Sequence, residues 1–172
     1  MFIYLTSGTP AFMEKLKEQY VSEAMIVLHG SGNSILLHET QKKSVFQTPR
    51  RYEVISSAGA FADEGYFVLN HIPVTDEGRP IFEHSFKTRS SIVDSELGFI
   101  AFRLLRPLNS DTYIMLTEWT DAAHYNRWKD SAVFRDSHFA DTLEAGVDNQ
   151  LHMFSSAPYI TTYLTKNNND DA

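Results

Sequence analysis

The chain is expected to be an α+β protein made of two ferredoxin-like halves, a pseudo-dimer within one polypeptide. Three observations predict this. From Tyr66 onward, segments of strand character and segments of helical apolar spacing follow the order β-α-β-β-α-β. The residues before Tyr66 read β-α-β-β with a trailing helix, a partial echo of the same order. The passages Thr6 to Phe12 and Thr75 to Phe82 both leave a strand through a Gly/Pro-containing turn and enter an amphipathic helix. Two such halves can stack their sheets face to face or close them into a barrel. The expected division is 1–65 for the N-terminal half, 66–165 for the C-terminal half and a polar tail, disordered, over 166–172.

The elements follow in order. Phe2 to Thr6 reads as a strand. Thr9 is an expected N-cap, with Pro10 at the first helical position, and Phe12, Met13, Leu16 and Tyr20 share one helix face. Ala24–His29 and Ser34–Glu39 form a hairpin across Gly30-Ser31-Gly32-Asn33. A short strand is expected near Val45-Phe46-Gln47, and a short helix over Arg50 to Ala58, ending at Gly59. Tyr66–Val74 is a strand. A helix starts near Pro80, with Phe82, Phe86 and Val93 on its inner face. Phe99–Leu105 and Thr112–Trp119 make a second hairpin. Thr120 is the expected N-cap of a helix over Asp121–Lys129, and Ser131 that of a further helical piece running through His138. Asp141–Gln150 reads as loop. Leu151–Phe154 and Tyr159–Leu164 read as strands.

Composition narrows the function. The net charge of −7 argues against a basic surface for nucleic acid. With no cysteine, the chain has no disulfide, zinc–thiolate site, iron–sulfur cluster or thiol nucleophile. The N-terminus lacks a basic segment and a long apolar run, and no stretch approaches 18 apolar residues, so a cytoplasmic protein without a membrane span is expected. The 22 aromatic residues suit a filled core or a pocket for a flat ligand.

Three residues carry the chemical reading. Asn70 interrupts the apolar strand Phe67-Val68-Leu69-Asn70-His71-Ile72 and shares a face with Val68 and Ile72. A buried Asn needs partners, so it is either an edge or turn residue or an amide aimed into a pocket. Trp128 and His138 lie ten residues apart. On one unbroken helix they would sit roughly 80° apart, and a break at Asp130-Ser131 would change that angle. No HExxH motif or close His pair is present, whereas a single His on a helix suits the iron of a haem.

The run Trp128 to His138, with Ser131 and Phe134 between, resembles the Trp–Ser–Phe–His helix of the haem-degrading monooxygenases within the antibiotic-biosynthesis-monooxygenase superfamily. The resemblance extends to Phe67-Val68-Leu69-Asn70, Gly78-Arg79-Pro80, Leu105-Arg106-Pro107-Leu108 and Tyr159-Ile160-Thr161-Thr162-Tyr163. Tyr4 to Thr9, Leu37 to Thr40 and Tyr52 to Ile55 are similar to the HmoB type of that family. About residues 2 to 165 are covered. Ser137 departs mildly from the Ala often found before the His. The resemblance implies a haem-degrading enzyme, with haem as both cofactor and substrate, O₂ as oxidant and an external electron donor, either a reductase or a small reductant. It implies His138 as iron ligand, Asn70 as the hydrogen-bonding group above the ring and Trp128 as the residue that bends it, with Phe134 beside them. Arg103, Arg106, Lys129 and Arg135 are candidates for the haem carboxylates. A monomer is expected, since the pseudo-dimer supplies its own partner. The alternative is a non-catalytic haem-binding, signalling or stress protein of the same fold.

Overall fold

A computed structural model describes residues 1–87, 95–135 and 153–166. Strands β1 (Phe2–Gly8), β2 (Met25–His29), β3 (Ser34–Thr40), β4 (Arg50–Ala58), β5 (Tyr66–Pro73), β6 (Phe99–Pro107), β7 (Thr112–Trp119) and β8 (Tyr159–Leu164) close into one antiparallel barrel in the order β1-β3-β2-β8-β5-β7-β6-β4. Helices α1 (Pro10–Gln19), α2 (Arg79–Lys87), α3 (Ala122–Lys129) and α4 (Ala132–Arg135) accompany it. The second half runs β8-β5-β7-β6 and the first β4-β1-β3-β2, the same 4-1-3-2 order twice. The two ferredoxin-like halves expected from the sequence are therefore present in one chain. The first lacks its second helix, because β3 passes directly through residues 41–49 into β4.

That passage corrects two expectations. Arg50–Ala58 is a strand and not a helix. Tyr52 and Val54 point into the barrel, and Val54 pairs with Leu105 while Ser56 pairs with Leu104. The irregularity between Val54 and Ser56 breaks the alternation, so the segment hides its period of two. No strand forms at Val45–Gln47. Phe46 instead buries its ring 5.9 Å from that of His38, anchoring the connection. Of the strand expected over Leu151–Phe154, Leu151 and His152 lie outside the described residues, and Phe154 makes an isolated bridge to Val74. The cap of α3 is Asp121, whose carboxylate accepts from the His124 N–H at 2.9 Å, one residue after the expected Thr120. The caps at Thr9 and Ser131 are as expected, accepting from the N–H groups of Phe12 and Phe134. Val93 lies outside the described residues.

Among the described residues, three apolar clusters hold the fold. The barrel interior joins Ile3, Leu5, Leu28 and Leu37 of the first half to Phe67, Leu69, Ile114 and Leu116 of the second. Met13 of α1 packs with Met25, Val27 and Leu36 on the outside of the first half. Phe82, Phe86, Trp128 and Phe134 cover the outside of the second half, against Val68, Ile72, Met115 and Trp119. The seam between halves at β4–β6 is zipped from Tyr52↔Pro107 to Ala58↔Phe102. Its pseudo-symmetric counterpart at β2–β8 pairs at His29↔Leu164.

Candidate functional site

Strand alternation sets the site. On β5, Phe67 and Leu69 enter the barrel, and their face carries His71. Val68 and Ile72 lie under the helices, and Asn70 belongs to that outer face. Asn70 is 2% exposed, and its carboxamide Oδ1 has no hydrogen-bond partner among the described residues. An unsatisfied buried carbonyl costs about 1–3 kcal/mol, so this amide stands ready for a partner.

Trp128 and Phe134 are buried in the cluster that covers the same face, their rings 4.8 Å apart and edge to face. The chain breaks between them. The Asp130 N–H closes α3 on the Asn126 carbonyl, and the Ser131 hydroxyl bonds the Trp128 carbonyl before starting α4. The unbroken-helix angle between Trp128 and residue 138 therefore does not apply. The structure brings Asn70, Trp128 and Phe134 onto one layer of the second half. His138 lies outside the described residues.

The other described histidines do not supply a ligand on this layer. His71 faces the opposite side, stacked 4.4 Å from Tyr159 and 2.8 Å from the Thr161 hydroxyl; burial, aided by Arg50, lowers its pKa to about 4 and keeps it neutral. His29 and His38 belong to the first half and contact Glu14 and Glu23. His124 caps against Asp121, and His84 is exposed. Among the described residues no cluster of three His, Asp or Glu could hold a metal ion, and no helix is long and apolar enough to cross a membrane.

Two of the proposed carboxylate anchors are engaged elsewhere. Arg103 is 6% exposed inside the barrel and bonds Glu39 through Nε at 2.7 Å. Arg106 is held by Glu83 at 2.6 and 2.8 Å and by Glu53 at 3.1 Å. Lys129 is exposed and Arg135 ends α4. A cavity of about 620 Å³ opens at the loose β2–β8 seam, lined by the 29–33 turn, Tyr66 and residues 160–164, with Lys166 at its edge. It does not reach Asn70, Trp128 or Phe134.

Sequence reasoning missed Glu118. It is fully buried on the barrel side of β7, accepts from the Ala62 N–H at 3.0 Å, and burial raises its pKa to about 7. The available signal was the one charged residue in the strand Tyr113-Ile114-Met115-Leu116-Thr117-Glu118-Trp119.

Comparison with known proteins places these features in context. Residues 65–140 match the family model described as antibiotic biosynthesis monooxygenase. The chain is 26% identical over 164 residues to the signal transduction protein TRAP of Staphylococcus aureus strain bovine RF122, covering 95% of this chain and 94% of that one. It superposes on the structure of a major regulator of staphylococcal pathogenesis with a TM-score of 0.85 at 24% identity, covering 97% and 100% of the two chains. A heme-degrading enzyme from Listeria monocytogenes superposes with a TM-score of 0.74 at 20% identity, over 95% and 99%. At these identities the two superpositions establish the shared fold.

Proposed function

We propose that this protein belongs to the antibiotic-biosynthesis-monooxygenase superfamily, binds haem on the helix-covered face of its second half and opens the porphyrin oxidatively, releasing iron. The observation that carries the reading is the buried carbonyl of Asn70, without a partner among the described residues, on the layer that holds Trp128 and Phe134. These aromatic surroundings fit a flat apolar ring with a polar centre.

Bound haem would supply both the oxidisable ring and the iron at which O₂ is activated, with electrons drawn from an external donor. The chain's own residues bind, orient and shield. Asn70 offers a carboxamide that can hydrogen-bond at the ring centre and whose strand holds it in one orientation. Trp128 presents an indole braced from behind by Trp119, stiff enough to press on a macrocycle. Phe134 closes the aromatic wall and keeps water out. By the motif resemblance, His138 is the residue that would hold the iron.

A second reading has its own support. Similarity to TRAP runs along nearly the whole of both chains, and Asn70, Trp128 and Phe134 are each 3% exposed or less. A protein of this build can signal, or hold haem, without turning it over.

One experiment separates the readings. Hemin titration should give a Soret band that saturates at one equivalent. Ascorbate with catalase present should then bleach the band and release iron to a ferrous chelator. A stable band under reductant leaves a haem carrier, and no band at all leaves the signalling reading.

A further inference from the structure

The segment that joins the two halves, residues 59–65 between β4 and β5, is held by buried charge. Arg103 of β6 donates through Nη1 to the carbonyls of Ala58 and Gly59 at 3.2 and 2.8 Å. Its guanidinium lies 4.5 Å over the Phe61 ring. Through Nε it also binds Glu39 of β3, tying the first half to the same point. Glu118 of β7 completes the grip. Its Oε2 takes the Ala62 N–H, and its Oε1 packs against Gly65, where any added Cβ would sit 2.5 Å away. One guanidinium and one carboxyl, both in the barrel end, thus hold the joining segment at 58, 59, 61, 62 and 65.

The charges in this clamp do not balance when every acid is ionised. Arg103 from β6 is the cation facing Glu118, Glu39 from β3 already bonds that cation, and Asp63 of the joining segment adds a like charge. Glu64 turns to Lys166 at the surface, 3.6 Å away. Glu118 is fully buried, and among the described residues it has one donor for two oxygens, with Oε1 left without a partner. Its neutral form leaves no uncompensated charge; its ionised form does.

We propose that Glu118 is a proton-operated latch on residues 59–65, holding the junction of the two halves closed while its carboxyl is protonated and loosening it on ionisation. Loosening lets water reach Glu118 along the segment it had gripped. The raised pKa of about 7 puts the change near neutrality. No step involves the layer of Asn70 and Trp128, so the latch stands whether or not the protein binds haem.

Hydrogen exchange read by mass spectrometry on the full chain tests it. After correction for intrinsic rates, amides 59–65 should exchange about tenfold faster at about pH 8 than at about pH 6, while β1 and β3 stay unchanged. Glu118→Gln should abolish the difference. Asp63→Asn, an exposed change that leaves the fold alone, removes a like charge and should move the midpoint to lower pH. A flat profile in the wild-type chain overturns the latch. So does a Glu118→Gln variant that keeps the response. Should that variant fail to fold, an unmoved midpoint in Asp63→Asn overturns it independently.

Discussion

The indole rings of Trp119 on β7 and Trp128 on α3 lie with centroids 5.3 Å apart and planes inclined by 33°. Trp119 is fixed from its own strand by an Nε1–H donated to the Thr117 hydroxyl at 3.0 Å. Trp128 is thereby a structural residue before it meets any ligand. Trp128→Ala should lower the unfolding free energy by about 3–5 kcal/mol without ligand, read from urea denaturation. A loss below about 1 kcal/mol would show that the indole is not part of the core. Ligand experiments should therefore use Trp128→Phe, which keeps most of the packing.

Asn70 leads to the opposite expectation. Its carbonyl, without a partner among the described residues, weakens the fold, so Asn70→Leu, which keeps the branched shape of the side chain, should hold or raise the thermal midpoint. The same substitution should slow hemin turnover more than it weakens hemin binding. A clear drop in stability would mean that the amide has a partner in the folded protein and is not held ready for a ligand.

These two residues show what could be read from the sequence. The repeated strand and helix order, the hairpins and the caps at Thr9 and Ser131 were legible because each rests on local chemistry. β4 was not, since a bulge at Val54–Ser56 erases the alternation that marks a strand. Asn70 stood out as a polar residue on an apolar strand. Glu118 broke the same pattern on β7, yet its role depends on Ala62 and Arg103, distant in sequence and adjacent only once the barrel closes. Arg103 and Arg106 looked like free cations for the same reason: Glu39 and Glu83 reach them only through long-range pairing.

Glu83 ties α2 to the sheet. It accepts the Tyr113 hydroxyl at 2.6 Å while receiving two bonds from Arg106. Burial, reinforced by Glu83, holds the Tyr113 phenol above its usual pKa, so it remains a donor at any physiological pH. Tyr113→Phe should cost about 1–2 kcal/mol in urea unfolding. Glu83→Gln should cost about 1–3 kcal/mol, limited by the partial exposure of Arg106. A neutral Tyr113→Phe would show that the hydroxyl is satisfied equally well by water.

His71 and Glu118 give the stability curve opposing slopes. His71 titrates near 4 when folded and 6.5 when unfolded, so between these values the unfolded chain binds more protons and stability rises with pH. Glu118 titrates near 7 when folded and 4.5 when unfolded, so the folded chain binds more protons in that window and stability falls with pH. Between pH 4.5 and 6.5 the two effects offset, and the wild-type urea midpoint should be nearly flat. His71→Gln removes the rising slope and should leave a midpoint that falls from pH 4.5 toward 7. Glu118→Gln removes the falling slope and should leave one that rises from pH 4 toward 6.5 and then levels. Parallel curves for both variants and the wild type would show that neither group carries the linkage, and a single reversed slope would identify the residue whose surroundings differ from those described.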